Sequence, residues 1–308
     1  MRLCAVSVDL DEIPNYFAIH GLPEPEGPAK TLVYDVAIDR LRDLAEELAV
    51  PFTLFAIGSD LARPEAAAQL REARGAGFEI ANHSLDHRYD LVRLERGAMA
   101  QQIEEGARAI ERAVGERPAG FRAPGYTITD EVFEVLGDLG VQYDASVFPC
   151  PAYWGAKAAA MGGIRLRGRR SRSVLDSPAV LLAPTQPYQV GRPYWKRGKG
   201  LLEIPVQVTR GPRLPFIGTS VTLGGPILAR GLARMCVGEA FVNLELHGID
   251  VLDAADGLGA LRPYQPDVRV PLARKLESLR AAISELRAHG YEFLTMAELG
   301  ASVEARDY

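Results

Sequence analysis

Short apolar runs rich in β-branched residues alternate along the chain with longer segments whose apolar positions recur every three or four residues. The first pattern predicts buried strands at 3–8, 52–57, 77–81, 119–122, 142–147, 202–208, 241–247 and 291–296. The second predicts helices. Ile38, Leu41, Ala45 and Leu48 form one stripe behind a cap at Asp35, and Ile103, Ala107 and Ile110 form another within 94–114. Pro64 and Pro271 each open a helix, with Gly75–Gly77 and Gly290 marking the ends. Thr129 caps a helix whose first turn carries Asp130 and Glu131, where the macrodipole favours acids. The apolar stretch 223–237 reads as a core helix before the strand at 241–247. Two stretches lack a period: 14–30, rich in Pro and Gly and read as a lid or substrate loop, and 150–200, read as an irregular excursion.

Strands alternating with helices at this spacing indicate βαβ units and a parallel sheet, and seven or eight of them close naturally into a barrel. The 308 residues, 47% of them hydrophobic, supply a large core and are read as one catalytic domain, 1–308, with the excursion at about 150–200. A net charge of −5 gives no electrostatic footprint for nucleic acid. Cys4, Cys150 and Cys236 are far apart and unpaired by spacing, as expected of reduced thiols. No basic-then-apolar leader and no run of ~20 apolar residues is visible, so a cytoplasmic protein without a transmembrane segment is expected.

Candidate chemistry collects at strand ends, which in such barrels open onto one face. His83 and His87 follow the third strand, and one helical turn would bring both rings toward one metal ion. Taken alone, the pair fits surface or capping roles better than a metal site; the rest of the chain reverses that. Asp9 and Asp11 end the first strand on a shared face, which calls for a cation or proton between them unless they are simply solvated in a turn. Arg122 and His247 end two further strands. Four separate segments thus deliver ionisable residues to one rim.

The stretches Ser7–Asp11, His83–His87, Phe121–Tyr126, Tyr143–Pro149 and Leu244–Asp250, in that order, resemble the polysaccharide deacetylase family, also called the NodB-homology or carbohydrate esterase 4 group. The resemblance implies an α/β fold, a distorted (β/α)7-8 barrel of the NodB-homology type. It also implies a divalent metal ion, usually Zn2+ with Co2+, Ni2+, Mn2+ or Fe2+ as substitutes, and hydrolysis of an N-acyl group, usually N-acetyl, from a sugar. It makes Asp11, His83 and His87 the metal ligands, Asp9 the general base, Arg122 its orienting partner and His247 the general acid. The oxyanion would lie against a backbone N–H of Gly125 or Tyr126. The family's first motif usually has adjacent aspartates; here Leu10 separates them, as in some relatives such as lipid-linked aminoarabinose deformylases. The Asp-rich fourth motif that tunes the acid histidine is not evident, leaving Glu203, Glu245 and Asp250 as candidates to orient His247.

The expected substrate is a small-molecule or lipid-linked sugar. Two alternatives stand beside it: an allantoinase-like amidohydrolase of small non-sugar amides, and a non-catalytic carbohydrate-binding protein of the same fold. Arg165, Arg167, Arg169, Arg170 and Arg172 form a basic run that reads as an anion clamp or as a solvated loop. Tyr153, Trp154, Tyr188, Tyr194 and Trp195 flank it and would serve a glycan wall or ordinary loop packing. The stretch 223–237 carries Arg230 and Arg234 and would, in a second reading, touch a membrane surface. His20 and His289 are not expected to bind metal, and self-association as a homo-oligomer is left open.

Overall fold

β1 (Arg2–Asp9) is the axis of the sheet, and every residue from Leu3 to Asp9 is buried. The computed structural model describes residues 2–305. After β1 the chain forms α1 (Ile13–Ile19), α2 (Ile38–Leu48), β2 (Phe52–Ala56), α3 (Pro64–Gly75), β3 (Glu79–Asn82), α4 (Arg96–Val114), β4 (Gly120–Phe121) and α5 (Asp130–Asp138). It continues through β5 (Tyr143–Asp144), α6 (Pro151–Leu166), β6 (Tyr188–Val190), β7 (Arg197–Glu203), α7 (Gly218–Cys236), β8 (Phe241–His247), α8 (Leu272–Ala288), β9 (Tyr291–Phe293) and α9 (Met296–Glu304).

The strands run in the order β6-β7-β5-β4-β3-β2-β1-β8, with β9 added to the first half of β1. All pairings are parallel except β6 with β7. Residues after β7 bring the ends of the sheet together, since Gln207 N donates to Asn243 O on β8 (3.2 Å). The result is the curled, distorted α/β barrel expected from the sequence. Its helices α2, α3, α7 and α8 cover the outer face, with Leu41, Leu70, Leu232 and Leu279 buried against the sheet.

Parallel register decides which side chains meet at the rim. Asp9 pairs with His247 and with Phe55, and Asn82 pairs with Phe121. Side chains two apart share a face, so Ser7 and Asp9 on β1 lie beside Glu245 and His247 on β8.

Several local expectations are corrected. Part of the supposed loop 14–30 is helix α1, with Pro14 in its first turn, where a missing N–H costs nothing. Asp35 lies inside the helical turn Val33–Ala37 and accepts from Thr31 Oγ1 (2.6 Å) instead of capping. The stretch 150–200 is not irregular throughout, since it contains α6 and the β6–β7 hairpin. None of α6's residues is buried, so no apolar period marked it. The sixth predicted strand is displaced to Arg197–Glu203, and α9 follows the helix that had been read as the last.

Candidate active site

Leu10 N donates to Phe55 O (3.1 Å), which carries β1's pairing one residue past the strand and fixes Asp9 and Asp11 at the barrel mouth. The His83–His87 stretch is a tight loop, not a helix. Ser84 and His87 adopt left-handed backbone (φ 68° and 50°), and this, not i,i+4 periodicity, turns both rings inward. Helix α4 pins the loop: Leu85 N donates to Gln102 O (2.8 Å), and Asn82 Oδ1 accepts from Ser84 N (3.0 Å). Gly106 makes that approach possible, because a Cβ there would stand 2.6 Å from Asn82 Oδ1 and 2.7 Å from the Ser84 carbonyl carbon.

His83 Nε2 and His87 Nε2 lie 3.2 and 3.1 Å from the same oxygen, Asp11 Oδ1. All three atoms are buried and none has a hydrogen-bond partner. His83 Nδ1 is 2.7 Å from Arg122 O. A carbonyl can only accept, so the ring's proton is assigned to Nδ1, and Nε2 then turns a lone pair toward a carboxylate oxygen. Two such acceptors need a cation or a proton between them. Burial pushes the His87 pKa down and Asp11 only partly restores it, which keeps this ring in the form that binds metal. Burial would raise the Asp11 pKa, but His87 and His83 override it and hold the carboxyl well below its usual range. The donor set of two imidazoles and one carboxylate therefore fits a divalent metal ion.

Asp9 stands on one side of this group, with Oδ2 3.7 Å from His83 Nε2. Its other oxygen meets Arg122 Nη1 at 2.6 Å. Arg122 is wholly buried, and Nη2 and Nε donate to Ser7 Oγ (2.8 Å) and Ala145 O (2.9 Å). Its guanidinium carbon also lies 4.0 Å from the centre of the Phe55 ring. The cation is thus fixed by three segments of the barrel wall.

His247 stands on the other side, with Nε2 4.0 Å from Asp11 Oδ2. Its Nδ1 is 2.9 Å from Glu245 Oε1, and Glu245 is fully buried. Burial would lower the His247 pKa, but Glu245, then Asp11 and Asp9, raise it well above the usual imidazole value. Asp250 Oδ2 accepts from the His247 backbone N–H (2.8 Å) and so positions the strand end and not the ring. Glu203 accepts from Val147 N (2.9 Å) and does not reach His247. Among the three sequence candidates, Glu245 is the one beside the imidazole.

Gly125 and Tyr126 form a left-handed turn at this mouth (φ 63° and 58°). The Tyr126 N–H donates to Ala123 O (3.0 Å), so that donor is engaged within the turn. Its hydroxyl instead lies 3.5 Å from His247 Nε2. Gly125 O accepts from Lys157 Nζ on α6 (2.8 Å). Sequence reasoning missed Tyr16 and Tyr89, whose rings meet His247 (6.3 Å) and His87 (4.8 Å) edge-on. Tyr89, two residues past His87, was findable by position; Tyr16 lay in a stretch read as loop. His20 pairs with Gln265 (3.1 Å) and His289 with Glu285 O (2.9 Å), away from this cluster.

The curled barrel is that of the NodB-type fold, and the comparisons with known proteins agree. Residues 31–143 match the family model described as polysaccharide deacetylase, so the resemblance read from the motifs is borne out. That span holds His83, His87, Arg122, Gly125 and Tyr126; Asp9, Asp11 and His247 lie outside it. A Mycobacterium smegmatis protein described as a polysaccharide deacetylase has a similar structure, with TM-score 0.61 at 20% identity over 99% of this chain and 92% of that one. A CE4 family pseudoenzyme from Bacillus anthracis aligns with TM-score 0.51 at 13% identity, over 97% of this chain and 65% of its own. These likenesses establish the fold. No curated protein sequence matches. Among the described residues no helix is long and apolar enough to cross a membrane.

Proposed function

We propose that the protein is a metal-dependent hydrolase that removes an N-acyl group, N-acetyl in the first instance, from a sugar or sugar-containing intermediate. One observation carries the reading. Two partnerless imidazole nitrogens lie within 3.2 Å of one partnerless carboxylate oxygen, flanked by an arginine-held carboxylate on one side and a carboxylate-held imidazole on the other.

Asp11 Oδ1, His83 Nε2 and His87 Nε2 would hold the ion, with zinc the first choice and cobalt, nickel, manganese or iron as alternatives. When bound, it supplies Lewis-acid polarisation of the acyl carbonyl and of water. Asp9 accepts the proton of the attacking water, while Arg122 Nη1, bonded to its other oxygen, aims the carboxylate. The Gly125 N–H donates to the developing oxyanion, joined from the His247 side by the Tyr126 hydroxyl. His247 Nε2, protonated through Glu245, delivers a proton to the nitrogen as the C–N bond breaks. A carboxylic acid and a free amine result, and water is the only co-reactant.

The test is elemental analysis of the purified protein and of the His83→Ala variant, with hydrolysis of N-acetylated sugars followed by amine release. About one divalent ion per chain, lost in the variant together with turnover, is the expected result. Metal present with turnover only on small non-sugar amides would favour the allantoinase-like alternative. Neither metal nor turnover after zinc addition would favour the binding-protein alternative. Asp9→Asn is expected to keep the metal and lose turnover.

A further inference from the structure

The basic run 165–172 resolves into separate roles. Arg169 stacks on Tyr264, with 5.4 Å from guanidinium carbon to ring centre. The Arg170 backbone presses on Gly21, where a Cβ would stand 3.0 Å from Arg170 O. Val174 is buried, and its carbonyl accepts from Thr127 Oγ1 (3.3 Å), one residue beyond the Gly125–Tyr126 turn. Residues 169–174 therefore form a strap anchored at both ends. Ser173 N donates to Ser171 Oγ (3.1 Å), fixing the turn between the anchors. Only Arg172 of the run lines the polar pocket beneath the strap, a cavity of about 470 Å³ that reaches His87.

The pocket's other charges are unevenly committed. Arg88 binds Asp90 through both carboxylate oxygens (3.0 and 2.9 Å), and Asp86 accepts from Gln102 Nε2 (2.7 Å). Arg93 and Arg172, both exposed, line the same pocket; neither side chain has an ion pair or hydrogen bond among the described residues, although the Arg93 charge also acts on Asp90 nearby. Two guanidinium groups without hydrogen-bond partners, lining one pocket that reaches His87, offer donors and charge for an oxyanion. We propose that Arg93 and Arg172 form an anion subsite, so that the substrate carries a phosphate or carboxylate next to its acylated portion. This rests on the reading of the site given above and narrows it to anionic N-acyl sugars.

The experiment measures equilibrium binding to the metal-loaded protein of three ligands: N-acetylglucosamine, N-acetylglucosamine 6-phosphate and N-acetylmuramic acid. The wild type and the Arg93→Ala, Arg172→Ala and Arg172→Lys variants are compared. At least one anionic ligand is expected to bind about tenfold or more tightly than the neutral sugar. The preferred member tells phosphate from carboxylate. Each alanine variant is expected to lose about tenfold for that ligand with neutral-sugar affinity unchanged, and Arg172→Lys to lose less. Equal affinity for all three ligands, no measurable binding of either anion, or a preference that survives both alanine substitutions would overturn the subsite. Hydrolysis of a neutral aryl acetate by the same proteins tests the catalytic reading separately. An arginine-dependent preference without turnover leaves the subsite standing and removes the hydrolase, and the reverse result does the opposite.

Discussion

Arg122 and Asp9 meet at 2.6 Å with side-chain exposures of 0% and 2%, so one buried charge is compensated by the other. Removing one partner of such a pair strands the other in a low-dielectric interior, at a cost of about 3–5 kcal/mol. Arg122→Met in metal-free protein is therefore expected to lower unfolding free energy by about that amount, read from urea melts. The Asp9→Asn/Arg122→Met double variant should recover part of the loss. Equal destabilisation in the single and double variants would show that packing against Phe55, not charge compensation, is what Arg122 supplies.

Glu245 raises the His247 pKa against the lowering effect of burial. If His247 acts as the acid, its protonated form must persist on the alkaline side of the pH profile. Replacing the carboxylate by an amide in Glu245→Gln lowers that pKa, so the alkaline limb of kcat should move to lower pH while metal content stays at wild-type level. An unmoved limb would assign it to a group other than His247.

Gly106 touches the His83–His87 loop so closely that a methyl group has no room. Gly106→Ala should destabilise by about 1–3 kcal/mol, as overpacking does elsewhere. It should also weaken metal binding, because Asn82 and Ser84 must shift and they carry His83 between them. Competition with a chromophoric chelator reads the second effect. Lost stability with unchanged metal affinity would mean that the loop tolerates the displacement.

Asp250 is fully buried, and burial, reinforced by Asp267, pushes its pKa up from 3.8 to about 7, with Lys275 and His247 offsetting part of the rise. The folded chain thus binds this proton at pH values where the unfolded chain has released it. The stabilisation is complete below about pH 4 and lost as pH climbs to about 7. Asp250→Asn is expected to flatten that decline, by about 1.4 kcal/mol for each tenfold difference in proton affinity between the folded and unfolded chain. Urea melts of both proteins at pH 5 and pH 8 check it; parallel pH dependences would exclude Asp250 as the source.

The long apolar strands and the rim acids were legible because burial on both faces leaves a continuous hydrophobic run that a charged residue visibly ends. β4 and β5 have two residues each, too few to define a period, yet their places followed from Arg122 and Tyr143. Helix α6 was hidden because none of its residues is buried, so no stripe recorded its phase. The histidine pair converged for a different reason from the one its spacing suggested, since left-handed backbone at Ser84 and His87 carries no signature in side-chain identity. Glu245 was readable in principle, because it alternates with His247 on one face of β8. Choosing it over Glu203 and Asp250 required the register with β1.

That register also sets an order of events during synthesis. Asp11, His83 and His87 all emerge within the first third of the chain on the β1–β2–β3 ladder, and the α4 and Arg122 contacts that fix the histidine loop follow before residue 123. Glu245 and His247 sit on a strand that can dock beside β1 only when four-fifths of the protein has left the ribosome. If Asp11, His83 and His87 hold an ion, a nascent chain would be able to capture it before the proposed acid, His247, is in place. Chemistry would switch on with the closing of the wall, in a protein that is already nearly whole.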